Sequence, residues 1–168
     1  MARMDSVREL EELVAARRAA LGADHPDTLS ARGALAEGRA HAGDFRRAVT
    51  EFRTLVEDRT EAAGAEHPDT LGVRLDLAKV LGAAARHTEA IGVCEPLLRD
   101  QLRVLGPEHP DVLETRQLLA SVRYAAGDAA GAAGELERLL AALSRVLMPS
   151  HHRITRVKRD IEFLKRAV

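Results

Sequence analysis

The residues in this chain best suited to chemistry are its histidines and its single cysteine. His25, His67 and His109 each stand in a Gly-x-x-His-Pro-Asp setting, as Gly22-Ala23-Asp24-His25-Pro26-Asp27, Gly64-Ala65-Glu66-His67-Pro68-Asp69 and Gly106-Pro107-Glu108-His109-Pro110-Asp111. A further step of the same length reaches His151-His152. Histidines near aspartates suggest a metal site first, since imidazole and carboxylate are the usual hard-to-borderline ligands. The ligands of one ion must all lie about 2 Å from it. The spacing here is a constant 42 residues, a repeat period, and equivalent residues of stacked repeats are separated by helix layers of roughly 8–10 Å. The three histidines therefore cannot share an ion. His151-His152 is a closer pair, but neighbours along a helix do not face the same way, and no metal is expected there. Cys94 is the only cysteine, so an intrachain disulfide and a zinc-finger type of metal site are excluded. It falls where Phe52 and Leu136 stand in the sister repeats, which predicts a buried, inert thiol. No nucleophile elbow, Walker loop, dinucleotide fingerprint or His-Glu-x-x-His motif occurs, so no catalytic residue and no cofactor is expected.

What the histidines do follows from the elements around them. Glycine accepts the left-handed backbone that ends a helix, proline suits the first helical position, and aspartate in a first turn complements the helix dipole. Each Gly-x-x-His-Pro-Asp unit is thus a helix stop followed by a helix start, with histidine at the cap or in the loop. Between these marks every unit reads as two helices. Helix A carries Leu29, Arg32, Leu35 and Ala36, repeated as Leu71, Arg74, Leu77 and Ala78 and as Leu113, Arg116, Leu119 and Ala120. Helix B carries Ala48, Phe52, Leu55 and Val56, then Ala90, Cys94, Leu97 and Leu98, then Ala132, Leu136, Leu139 and Leu140. The turn between them is Gly43-Asp44 and Gly127-Asp128, but Ala85-Arg86 in the middle unit. If that turn needs a positive φ, Ala85 costs roughly 1 kcal/mol and is a weak joint.

The expected order is a helix B over 1–21, with Val7, Leu10, Val14 and Leu21 on one face, then repeats over 22–63, 64–105 and 106–147, then a capping helix in 148–168. The last has Ile154, Val157, Ile161, Leu164 and Val168 in steps of 3 and 4. The fold class is all-α, a single stack of about eight helices in antiparallel pairs.

Composition bounds the rest. The 168 residues are 46% hydrophobic and 2% aromatic with no Trp, so Leu, Val and Ala must fill the interior. A formal net charge of -1 gives no global attraction to nucleic acid or an anionic membrane. The start of the chain lacks a signal-peptide core and no run is long enough to span a bilayer, which predicts a soluble, cytoplasmic protein with no membrane partner.

A 42-residue pair of helices fits HEAT or armadillo units by length, while the tetratricopeptide unit is usually 34 residues. Residue identity separates them. Leu35-Ala36 on helix A, the Gly43-Asp44 turn and Phe45, Ala48 and Phe52 on helix B resemble the tetratricopeptide pattern. The longer helix B and the Leu-Gly-x-x-His-Pro-Asp-Thr connection resemble the 42-residue variety found in kinesin light chains and in many bacterial signalling and regulatory proteins. The resemblance covers nearly the whole chain. It implies a right-handed superhelix whose helix A residues line a concave groove for peptides or protein segments, and a non-catalytic scaffold or sensor arm of a regulatory protein. Kinesin light chain-like repeats often clasp a ligand backbone with helix A asparagines. The aligned pairs here are Gly33-Ala34, Leu75-Asp76, Gln117-Leu118 and Arg159-Asp160, so that clasp is absent.

The groove positions left over by the apolar stripe are Gly33, Glu37 and His41, then Leu75 and Lys79, then Gln117, Ser121 and Tyr124, then Arg159 and Phe163. Tyr124 and Phe163 are the strongest contacts. Two other partners fit parts of the sequence. The terminal helices can mediate a homodimer, and the basic segment from Arg145 to Val168 can meet nucleic acid, although scarce aromatics argue against single-strand stacking.

Overall fold

The computed structural model describes residues 2–166, with side chains from residue 6 onward; Met1, Ala167 and Val168 lie outside it, and with them the last position of the expected C-terminal seam. The described residues form eight α-helices and no strand. They are α1 (Ala2–Leu21), α2 (Pro26–His41), α3 (Phe45–Ala63), α4 (Pro68–Ala83), α5 (His87–Val104), α6 (Pro110–Ala125), α7 (Ala129–Val146) and α8 (His152–Arg166). α2, α4, α6 and α8 are the A helices of the sequence pattern, and α1, α3, α5 and α7 are the B helices.

The punctuation works as its residue types dictate. Gly22, Gly64 and Gly106 take φ of +95°, +95° and +83°, the backbone region that glycine enters without a Cβ penalty. Three residues on, His25, His67 and His109 are N-caps in extended conformation, each with proline at the first helical position. Their Nδ1 atoms accept hydrogen bonds from the backbone N–H of Asp27, Asp69 and Asp111 at 3.2 Å in each case. His151 does the same for Arg153 at 3.2 Å. The shorter turns between A and B differ. Asp44 and Asp128 cap α3 and α7 by accepting from Arg47 N–H and Gly131 N–H. Arg86 gives α5 no side-chain cap, and Ala85 sits at φ +57°, the sole non-glycine residue with positive φ among those described.

The chain divides into two compact units, residues 1–84 and 85–168. In the first, α2 packs between α1 and α3, and α4 packs on α3. α2 and α3 bury Leu29, Leu35, Ala36, Ala48, Val49, Phe52 and Leu55. Alanines at 36 and 48, both fully buried, allow the close helix approach that larger side chains would block. The α1 contact is tighter still, because a Cβ at Gly38 would lie 2.8 Å from Leu10 Cδ1. α1 is nevertheless the least buried helix. Val7, Leu10 and Val14 are half-buried, whereas Leu13 and Leu21 are 41% and 43% exposed.

In the second unit α6 packs against α5 and α7, and α7 against α8. The core there runs from Leu113 and Ala120 on α6, through Leu136, Leu139 and Leu143 on α7, to Ile154, Val157, Ile161 and Leu164 on α8. Cys94 is fully buried on α5. Burial pushes its thiol up to about 12, with a smaller push from Glu95, so it stays protonated and unreactive.

The repeated arginine of helix A ties A to B in the first and third repeats. Arg32 Nε donates to Glu51 Oε1 at 2.7 Å and its second nitrogen to Asp58 Oδ2 at 2.6 Å. Burial alone would lower the Arg32 pKa, but the hydrogen bonds to Asp58 and Glu51 outweigh it and raise it. Arg116 donates to Glu135 at 2.8 Å, with both side chains buried. Beside it, Thr115 Oγ1 donates to Gln101 Oε1 at 2.7 Å.

Candidate functional site

α6 and α8 both lie against α7, so side chains that share a register position on the two A helices converge. Tyr124 is 47% exposed and Phe163 is 58% exposed. Their rings meet edge to face, centroids 6.2 Å apart at 74°, a favourable arrangement for two quadrupoles. They form one wall of a cavity of about 240 Å³ whose floor is Ala120, Leu136, Val157 and Leu164 and whose rim is Gln117, Ser121, Arg156 and Asp160. Ser121 Oγ is turned back onto the Gln117 carbonyl at 3.0 Å. Arg156 has no carboxylate partner among the described residues. α8 itself carries Arg153, Arg156, Lys158, Arg159, Lys165 and Arg166 against Asp160 and Glu162. Lys165 is held by Glu137 at 2.6 Å.

The first unit has a second concavity, about 470 Å³, lined by Glu37, His41, Phe45, Phe52, Asp76, Lys79 and Val80 among others. Lys79 Nζ is 3.3 Å from Asp76 Oδ1, and His41 Nδ1–H donates to the Glu37 carbonyl at 2.9 Å. These are polar residues around an apolar floor, with no nucleophile and base in contact.

The expected groove positions therefore sort into two groups, one per unit. Glu37, His41 and Lys79 gather in the first, and Gln117, Ser121, Tyr124 and Phe163 in the second. Three stand apart. Gly33 has nothing within 4 Å of a Cβ built on it and lines neither cavity. Arg159 is exposed on α8, outside the cavity wall. Leu75 is a correction: at 3% exposure it belongs to the core. α4 also buries Leu71, Val73, Leu77, Ala78, Val80 and Leu81, and a helix apolar nearly all round is buried nearly all round. Arg156 and Phe45 line the cavities without being among the expected positions, and Asp76 and Asp160, the aligned partners of Leu75 and Arg159, line them as well. Helical spacing was available as a signal, because Arg156 and Asp160 precede Phe163 by seven and three residues and so share its face.

The histidine pair also departs from expectation. His151 and His152 do approach, with ring centroids 4.4 Å apart at 30°, because His151 is the cap before α8 and not part of the helix. Among the described residues no group of three His, Cys, Asp or Glu side chains is placed to hold a metal ion. No helix among them is long and apolar enough to cross a membrane.

Comparison with known proteins bears on the whole arrangement. Residues 69–145 match the family model described as tetratricopeptide repeat. No curated protein matches the chain. Among solved structures, the crystal structure of the Podosopora anserina putative kinesin light chain nearly identical TPR-like repeats is similar over 98% of this chain and 78% of that one, at 25% identity and a TM-score of 0.86. BtubC (BKLC) from P. vanneervenii is similar over 99% of this chain and 67% of that one, at a TM-score of 0.80; with 20% identity, that likeness is one of fold. The 42-residue period, the histidine caps and these likenesses agree: residues 69–145 match the tetratricopeptide repeat model, and the chain as a whole carries the fold of kinesin light chain-like TPR repeats.

Proposed function

We propose that this chain is a non-catalytic interaction module that holds a protein segment on its A helices, as the scaffold or sensor arm of a regulatory protein. Repeats of this family generally mediate protein–protein interactions. The observation that carries the finer reading is the Tyr124–Phe163 pair, two of the chain's four aromatic Phe and Tyr side chains, half-exposed and edge to face at the mouth of an apolar cavity. Tyrosine and phenylalanine left in water beside a concavity supply large contact area at low entropy cost and are typical anchors of an interface. The cavity is too small for a folded domain and takes one bulky side chain of an extended or helical segment. The unpaired Arg156 and the excess positive charge of α8 favour a segment that carries carboxylates near that side chain.

Selection of peptides from a displayed library on the intact chain, followed by titration of the winners, tests this. Tyr124→Ala and Phe163→Ala each weaken binding by about 2 kcal/mol, roughly thirtyfold, while thermal stability moves by about 1 kcal/mol or less because about half of each side chain is in water. Unchanged affinity in both variants removes the cavity from the binding surface.

A further inference from the structure

The repeat register exposes a second surface, on α1. Residue for residue, α1 aligns with α3 and α7: Ser6 with Ala48 and Ala132, Glu9 with Glu51 and Glu135, Leu13 with Leu55 and Leu139, Ala16 with Asp58 and Ala142. In α3 and α7 these positions face the A helix that precedes them. Glu51 and Glu135 receive Arg32 and Arg116, and Leu55 and Leu139 are fully buried. In α1 the same four positions are exposed, Leu13 at 41%, and Glu9 carries no ion pair among the described residues.

We infer that this face of α1 docks a single amphipathic helix of a partner protein, one with the Leu-x-x-Arg-x-x-Leu-Ala pattern of this chain's own A helices. The complementarity is specific in charge as well as in shape. Glu9 stands where a helix A arginine is received, Leu13 where its leucines pack, and Ser6 is small where alanine otherwise admits a close crossing. A second copy of the chain does not supply this helix. α2, α4 and α6 carry the pattern but already bury its leucines, Leu29 and Leu35, Leu71 and Leu77, and Leu113 and Leu119. α8 has exposed Thr155, Lys158 and Glu162 at the positions of Leu113, Arg116 and Ala120, so it lacks the leucine and puts a carboxylate where a methyl group must fit.

The test uses the intact chain and a synthetic peptide of residues 110–125, kept helical by a staple on its solvent side. The peptide binds one to one, and Leu13→Asp or Glu9→Lys weakens it at least tenfold while circular dichroism shows the variants folded. A peptide with Arg116→Glu then binds the Glu9→Lys chain better than it binds the unaltered chain. Tyr124→Ala leaves this binding unchanged, which separates it from the cavity on α6 and α8. No binding of the helical peptide, or equal binding to Leu13→Asp, overturns the inference. So does a chain that sediments as a dimer and is made monomeric by Leu13→Asp, which assigns the face to a second copy.

Discussion

The capping histidines are acceptors, and that limits their state. A ring whose Nδ1 accepts from a backbone N–H carries its hydrogen on Nε2, and a ring protonated at both nitrogens cannot accept at all. Replacing His109 with alanine leaves the Asp111 N–H without its partner and lowers stability by about 1 kcal/mol, whereas asparagine, a good N-cap, holds it within a few tenths; denaturant titration of the two variants separates these outcomes. Cys94 makes the opposite kind of prediction. Its folded pKa lies near 12 against 9.0 for an ordinary thiol, so the unfolded chain loses the proton first as pH rises. The associated stability is complete below about pH 9 and drains away between there and about pH 12, by up to roughly 1.4 kcal/mol per unit. Melting curves of Cys94→Ala over that range lack this part of the decline, and a thiol reagent labels the native protein only as fast as it opens.

The elements show where sequence reading reached and where it stopped. All eight helices were legible from the period of 42 and from glycine, proline and aspartate at their ends, and the histidine caps followed from the same marks. The partners of the repeated arginine were not. Glu51 and Asp58 lie 19 and 26 residues beyond Arg32, and the repeat does not preserve them throughout, since Val93 replaces the glutamate in the second copy and Ala142 the aspartate in the third. The Arg116–Glu135 pair is buried, and a buried charge left alone costs far more than a matched pair contributes. Arg116→Met therefore destabilises by about 3 kcal/mol, the low end for such a break because Arg138 still reaches Glu135 at 2.6 Å; adding Glu135→Leu restores most of it. A double-mutant cycle by thermal denaturation measures both.

At the scale of the molecule, the candidate site was half legible. Tyr124 and Phe163 stood out as aromatics off the apolar stripe, and register brought them to the same side of α7. Leu75 was misplaced because register gives a side chain's direction relative to its own helix B and says nothing of what covers it. The turn at Ala85-Arg86, flagged by its missing Gly-Asp, does hold a positive φ and no side-chain cap, and it marks the boundary of the two compact units. Ala85→Gly relieves the left-handed strain, about 1–2 kcal/mol, less the roughly 0.5–1 kcal/mol that glycine loses in conformational freedom. The net expectation is a chain more stable by about 0.5–1 kcal/mol, read from its denaturation midpoint; a less stable variant shows that the turn is not strained.

The near-touch of Leu10 and the bare α-carbon of residue 38 has its own consequence for anyone who would shuffle these modules. The sister repeats carry Val80 and Val122 at that place, branched side chains where in the first junction even one added carbon meets the end of Leu10. Transplanting the second or third helix A into the first position would force the Leu10 side chain to another rotamer, and a consensus version of the chain would have to redesign Leu10 along with it. The copies share a plan without being spare parts for one another.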